Sequence, residues 1–359
     1  MKHRILVAPL DWGLGHATRC IPILNELLLQ GAEPWIAASG IQKELLQKDF
    51  PSLPFLDLQS YGVSYPPNGK SLSLKILSQL PALWNRIRKE NDWLHSVHKI
   101  HGFHGILSDN RFGLYHRELK SAFITHQLDI KTGLGKWATA LANRQNRRYI
   151  ARYDECWVPD WPGEENLAGE LSHPSKLPIN VKYVGALSRM EPKDVRENKE
   201  VLCILSGPEP QRTIFEEEIL RQLSELDEEY LLVRGVNSGT IPLSRSKGTI
   251  INSLATNELT ERIASAEFVI CRSGYSSIMD LVKMGKKMIL VPTPGQPEQE
   301  YLFQNMLSKC MAIGATQDSF NIKALLHKGR HFEFKLKPYR NELLSAVIKN
   351  WLNSMPVGQ

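Results

Sequence analysis

The chain has 359 residues, 42% of them hydrophobic, with 44 Lys and Arg against 38 Asp and Glu for a net charge of +6. That length suggests two domains, each able to bury its own core, and the mixed composition excludes wholesale disorder and fibrous proteins. The small positive surplus suits a phosphate-bearing ligand, a polyanion or an anionic surface, and selects none of them.

Five cysteines, Cys20, Cys156, Cys203, Cys271 and Cys310, are odd in number and far apart. They argue against a disulfide framework or a zinc ribbon and fit a reducing compartment. Lys2-His3-Arg4 leads straight into Ile5-Leu6-Val7-Ala8 with no signal-like apolar region after it, and no stretch reaches ~18 apolar residues. The expected location is the cytoplasm, with any membrane contact peripheral, at the inner membrane face.

Strand-like runs come at Ile5–Ala8, Pro34–Ala38, Gly105–Ser108, Ala122–His126 and Cys156–Pro159, then at Val201–Ser206, Tyr230–Arg234, Phe268–Cys271 and Met288–Val291. Several are continuous apolar runs, as parallel strands covered on both faces are. Helical patterns alternate with them: Ala17–Gln30 closed by Gly31, Phe215–Leu226, Leu259–Ala266, Tyr275–Met284 closed by Gly285, and Glu300–Cys310. The fold class this predicts is α/β with parallel sheets. One segment breaks the rhythm. Pro66-Pro67-Asn68-Gly69 make a turn, and Leu72–Ile100 reads as one or two long helices with Trp84, Trp93, Arg86, Arg88 and Lys89. These could line an acceptor site or touch a membrane, or form an ordinary helix with tryptophan in the core.

The Pro- and Gly-bearing stretch after Trp161 reads as a linker. The expected division is an N-terminal Rossmann-like domain 1–162, a linker 163–181, a C-terminal domain 182–338 and a final helix 339–359.

The first strand runs through Asp11-Trp12-Gly13-Leu14-Gly15-His16 into a helix. Such a turn offers backbone N–H groups and a helix dipole to an anion. A dinucleotide fingerprint would need a third glycine where Thr18 stands, so NAD and FAD are disfavoured. His16 begins the helix, where the dipole lowers an imidazole's pKa and keeps it neutral; general base is the functional reading, a structural cap the bland one. Asp109-Asn110-Arg111 and His126-Gln127 close two further strands, at the end where open α/β sheets collect ligands. Asp109 is a candidate to orient His16. His95, His98, His101 and His104 resemble a metal box, but Gly102 and Gly105 interrupt and no acid is nearby, so no metal is expected.

In the second half, Cys271-Arg272-Ser273-Gly274 turns into a helix starting at Tyr275, with Ser276 in its first turn and Asp280 just over one turn on. A diphosphate suits that helix start, and Asp280 could accept from a ribose diol. The next strand ends in a Pro-rich loop bearing Gln296, Gln299 and Glu300, groups suited to sugar hydroxyls.

These residues bring a family into view. The chain resembles the GT-B glycosyltransferases of family 28, the group with the bacterial enzyme that adds N-acetylglucosamine to the lipid-linked peptidoglycan precursor. Gly13-Leu14-Gly15-His16 is similar to its N-terminal glycine-rich loop, and Thr125-His126-Gln127-Leu128 to its acceptor-side segment. Val184-Gly185 through Arg189 looks like its segment after the linker; Arg272-Ser273-Gly274 with Asp280 looks like its donor signature, and Gln299 and Glu300 lie where it has sugar-binding glutamines. The resemblance implies two Rossmann-like domains facing across a cleft, acceptor chemistry in the first, the donor in the second, and a final helix crossing back. It also implies inverting transfer without metal or other cofactor. Departures are Ser206-Gly207-Pro208-Glu209-Pro210, whose prolines remove N–H donors, and the acids Asp280 and Glu300.

The function expected is transfer of a sugar from a nucleoside-diphosphate donor, UDP foremost, to a hydroxyl of a small-molecule, lipid-linked or glycan acceptor, with no nucleic-acid partner. His16 acts as base with Asp109, while Arg189, Ser206, Gly207 and the helix after Gly274 stabilise the leaving diphosphate. The alternative is a nucleotide-sugar hydrolase, because Gly15-His16-Ala17-Thr18-Arg19-Cys20 is also similar to the Gly-His-x-x-Arg-Cys motif of such enzymes; a non-catalytic nucleotide-sugar binder is the third reading. An epimerase has less support, lacking a clear carboxylate pair.

Overall fold

A computed structural model describes residues 2–62, 72–178, 180–236, 239–241, 248–336 and 342–355. The Pro66–Gly69 turn falls outside the described residues. The chain divides into two units: the first runs through Ser188 and takes back the C-terminal helix, and the second starts at Arg189.

The first unit is built on β1 (Arg4–Pro9), β2 (Glu33–Ala38), β3 (Phe55–Asp57), β4 (Gly105–Asp109), β5 (Lys120–Ile124), β6 (Glu155–Val158) and β7 (Val181–Tyr183). They form one parallel sheet in the order β3-β2-β1-β4-β5-β6-β7. Helices α1 (Leu14–Leu29), α2 (Gly40–Asp49), α3 (Leu72–His101) and α4 (Lys136–Ile150) connect strands. Burial explains the apolar runs: Ile5, Leu6, Val7 and Ala8 are all fully buried, as in a strand covered on both faces. Among the described residues no helix is long and apolar enough to cross a membrane. Trp93 packs against the core cluster of Leu94 and Phe103, whereas Trp84 is half exposed.

Residues 163–178, expected as linker, are tied to the first unit. Buried Asp160 accepts from the N–H groups of Leu167 (2.7 Å) and Ala168 (3.0 Å) and from the Ser172 hydroxyl (2.6 Å). One carboxylate thus satisfies the backbone between two short 3-10 turns, Gly163–Glu165 and Gly169–Leu171, and the hydroxyl just after the second.

The second unit holds β8 (Val201–Ile204), β9 (Tyr230–Val233), β10 (Gly248–Ile251), β11 (Phe268–Cys271), β12 (Met288–Leu290) and β13 (Ala312–Gly314). Its sheet is again parallel, in the order β10-β9-β8-β11-β12-β13. Its helices are α5 (Gln211–Leu223), α6 (Thr256–Ser265), α7 (Tyr275–Lys283), α8 (Pro297–Ser308) and α9 (Ile322–Arg330). Both sheets reverse direction of strand order at one place, between β1 and β4 and between β8 and β11. Connections leave that point on opposite faces, so the strand ends there open a crevice. Two parallel α/β units bear out the fold class read from the sequence.

The last helix, α10 (Glu342–Asn353), belongs to the first unit. Trp351, almost fully buried, meets Trp157 edge-on at 5.4 Å between ring centroids. Gly105 permits this approach: a Cβ there would lie 2.7 Å from Trp351 and 2.6 Å from Met355.

Candidate active site

At the first switch point β1 and β4 run side by side, with Pro9 opposite Asp109. Gly13 caps α1 with φ +82°, a left-handed backbone that glycine adopts at no steric cost. The loop before it is held from two sides. The Gln42 amide of α2 donates to the carbonyls of Asp11 (3.0 Å) and Gly13 (3.2 Å). The Asp11 carboxylate accepts from Tyr61 N–H (3.1 Å) and the Ser60 hydroxyl.

His16 then falls in the first turn of α1. Its Nδ1 lies 3.1 Å from Asp109 Oδ2, so the contact expected between the two is present. Arg19, one turn on, clamps the same carboxylate with Nε on Oδ2 (2.7 Å) and Nη2 on Oδ1. Arg19 Nη2 also reaches within 2.8 Å of His16 Nδ1, and Nη1 lies 3.5 Å from His126 Nδ1. Asp109 and Arg19 are buried, while the His16 side chain keeps 15% of its surface open.

Burial and the Arg19 cation push the His16 pKa below its ordinary value, against the opposing pull of Asp109. Burial alone would raise Asp109, but Arg19 and His16 outweigh it and hold the carboxyl below the usual range. Cys20 Sγ sits 4.0 Å from Asp109 Oδ2, and burial beside that charge raises its pKa well above normal. It stays a thiol.

Asn110 follows in the left-handed region (φ +56°), and its N–H donates to Ile124 O. Such backbone, uncommon outside glycine, turns the chain directly after Asp109. His126 is buried beside Arg19, and the Gln127 carbonyl accepts from the Asn146 amide (2.8 Å). Arg111 is a structural cation: it pairs with Glu90 (2.5 Å), which also accepts from Tyr61 Oη (2.5 Å) and Gly113 N–H (2.9 Å).

The second unit sorts the expected donor residues into two sets. On α7, Gly274, Ser276, Ser277 and Asp280 share a half-buried, solvent-reached side. No acidic residue occupies the first turn and no side chain caps it, so the helix start presents positive potential. Below them the picture changes. Arg272, 1% exposed, stacks on the Phe215 ring at 4.0 Å and donates to Pro292 O (3.1 Å), Gln211 O (3.0 Å) and Gln317 Oε1 (2.7 Å). Burial lowers its pKa to about 9, and it stays charged at neutral pH. Ser273 is fully buried with its hydroxyl on Gln299 O (2.8 Å), and Tyr275 is buried too. The Arg272 and Ser273 side chains thus brace the loop from beneath.

Gln299 accepts from Thr293 N–H (2.9 Å) and donates to Gln296 Oε1 (2.7 Å), and Glu300 accepts from Gly295 N–H (3.0 Å). The Pro-rich loop is thus folded by the side chains expected to hold the sugar. Arg189 donates to Thr256 Oγ1 (2.8 Å) at the start of this unit.

Ser206 and Gly207 are exposed beside α5. The start of that helix already carries an anion of the chain itself: Glu209 accepts from Thr213 N–H (3.2 Å), Thr213 Oγ1 (2.7 Å) and Arg212 Nε (2.5 Å). Sequence reading missed Glu209 and left Arg19 outside the site. The His16-x-x-Arg19 spacing, one helical turn, was the available signal for the second; for the first, only the loop geometry supplies it.

Residues 234–344 match the family model described as the glycosyltransferase family 28 C-terminal domain. Over 165 residues the chain is 26% identical to the UDP-N-acetylglucosamine–N-acetylmuramyl-(pentapeptide) pyrophosphoryl-undecaprenol N-acetylglucosamine transferase of Clostridium perfringens, a match over 45% of this chain and 46% of that protein. The match therefore spans about half the length of that relative. An uncharacterized glycosyltransferase of Methanosarcina acetivorans is 23% identical over 83% of this chain and 81% of its own. Among solved structures, the glycotransferase of kitacinnamycin aligns with TM-score 0.60 at 12% identity, covering 98% of this chain and 95% of that one. Acinetobacter baumannii MurG aligns with TM-score 0.55 at 11% identity, covering 99% and 95%. These likenesses place the fold as GT-B.

Proposed function

We propose that this chain, a family 28-like protein with a family 28 C-terminal domain on a GT-B fold, is an inverting glycosyltransferase. Its donor is a nucleoside-diphosphate sugar, UDP foremost, and its acceptor a hydroxyl. The observation that carries the reading is His16, in the first turn of α1, with Nδ1 on the buried carboxylate of Asp109 (3.1 Å). Of the two partners of Nδ1, only Asp109 can accept a proton. The tautomer with Nδ1–H on Asp109 leaves a lone pair on Nε2, the atom a general base needs.

In the proposed step Nε2 takes the acceptor's hydroxyl proton as that oxygen bonds to the anomeric carbon. The bond from that carbon to the diphosphate breaks, and its electron pair leaves with the diphosphate. The imidazolium so formed is stabilised by Asp109, while Arg19 keeps Asp109 ionised and in place. Developing charge on the leaving group is met by the start of α7, with Asp280 directed to the ribose. No metal enters this scheme. The names of the Clostridium perfringens relative, and of a spinosyn rhamnosyltransferase solved with thymidine diphosphate, favour a nucleoside-diphosphate donor.

A second reading keeps a specific observation behind it. Arg19 and Cys20, the last two members of the Gly-His-x-x-Arg-Cys pattern, both lie against Asp109, and this keeps a hydrolase, with water in place of the acceptor, as the second reading. Calorimetric titration with UDP, GDP, dTDP and CMP, repeated on Asp280→Ala, tests the donor site. Selective UDP binding that collapses in the variant supports it; binding indifferent to Asp280 overturns it. Sugar release from UDP-sugars without any acceptor, at the rate seen with one, would favour hydrolysis.

A further inference from the structure

The histidine run of α3 and the loop after it does not stay together in three dimensions. His104 Nδ1 accepts Arg4 N–H (3.0 Å), and the His101 ring lies against Trp35, 4.7 Å between centroids. His95 and His98, one turn apart near the end of α3, instead meet the β4–β5 connection. The His116 ring centroid lies 4.3 Å from that of His95 and 4.9 Å from that of His98. His98 Nε2 lies 3.8 Å from Glu118 Oε2. Ligand atoms of His98, His116 and Glu118 all fall within 4.8 Å of one another. The acid that sequence inspection found missing is thus brought in by the fold from beyond β4.

We infer that His98, His116 and Glu118, with His95 as fourth ligand, form a binding site for one divalent transition-metal ion, zinc by ligand chemistry. Three imidazoles and one carboxylate are an N3O set, which suits Zn2+ and its neighbours rather than Mg2+ or Ca2+, which want oxygen alone. Zinc bonds of ~2.0–2.2 Å in a tetrahedron set ligand atoms roughly 3.3–3.5 Å apart. The contraction this requires falls largely on exposed side chains. The Glu118 side chain is 78% exposed and His95 is exposed. His98 Nδ1 is buried with no hydrogen-bond partner, a polar atom left for a ligand to satisfy. One bond must be given up: His116 Nδ1 accepts Glu118 N–H (3.1 Å), and coordination through either ring nitrogen releases it. An ion here would clamp α3 to the connection that follows Asp109 and Asn110. It lies outside the proposed transfer chemistry and takes no part in it.

The test uses the full chain, stripped with a chelator and desalted, titrated with ZnCl2 against a chromophoric competitor. The expected result is one tight equivalent per chain, weakened about tenfold or more in His98→Ala and in His116→Ala. Co2+ should give the visible d–d absorption of a tetrahedral site in the native protein and lose it in those variants. UDP affinity and circular dichroism report whether each variant folds. Should the histidine variants fail to fold, Glu118→Gln, at an exposed position, is expected to weaken zinc on its own. No stoichiometric binding overturns the inference. So does binding unchanged by these variants, which would put the ion elsewhere, for instance on the His327 and His331 pair.

Discussion

Nδ1 of His16 stands between a carboxylate and a guanidinium, and the balance of the two sets how the base titrates. Burial and Arg19 lower its pKa, and Asp109 raises it. Because the neutral ring is the active form, transfer should be level around neutral pH and decline as pH falls through a value below ~6.5. Asp109→Asn removes the upward pull and should move that acid limb to lower pH, while Arg19→Met removes a downward pull and should move it up. A kcat–pH profile that shifts the same way in both variants would count against the arrangement. His16→Ala should lower kcat by ~10²–10⁴ with UDP affinity unchanged. Asp109, held below the ordinary carboxylate range, adds stability above that range, and the contribution is lost as pH falls through its lower folded value. His16 works in the same direction, since the unfolded ring takes up a proton at a higher pH than the folded one.

Two helix starts of the second unit, α5 and α7, differ in what they already hold. Both carry the partial positive charge of a helix N-terminus. At α5 the Glu209 carboxylate occupies it, whereas α7 has no acid in its first turn. Under the proposed function, this favours α7 over α5 as the seat of the donor's diphosphate. Glu209→Gln should therefore leave UDP binding intact or tighten it a few-fold. The same change should cost about 0.5–2 kcal/mol of stability through the weakened cap. Calorimetry and urea unfolding on one preparation read both, and a large loss of UDP affinity would show that Glu209 serves the donor instead. The contrast could not be read from the sequence, where Ser206-Gly207 and Ser273-Gly274 look alike. What separates them is the side-chain reach of Glu209 back to Thr213.

The first unit is completed by its last helix. Trp351 and Ile348 of α10 are buried, Trp351 against Trp157 of β6, and Ser345 Oγ donates to Glu26 of α1 (2.8 Å). Trp351→Ala should destabilise that unit by ~3–5 kcal/mol. With two units the chain need not unfold as one, so urea unfolding should show one transition shifted and the other kept, with UDP still bound in the cold. Loss of both transitions together would mean that the units fold as a single body.

The sequence alone determined the alternation of strand and helix, the loops at strand ends, and His16 with Asp109 as a candidate pair. These follow from local physics: continuous apolar runs need two covering layers, and glycine before a helix frees its first turn. Short edge strands such as β3, β7 and β13 carry too few residues for a pattern and went unread. Tertiary structure alone decided which polar groups face outward. It turned Arg272 and Ser273 inward onto backbone carbonyls, joined Arg19 to Asp109, and brought His116 and Glu118 to His98. Each depends on contacts between residues distant in the chain, set by sheet order and by the need of buried polar atoms for partners, which no spacing along the sequence encodes.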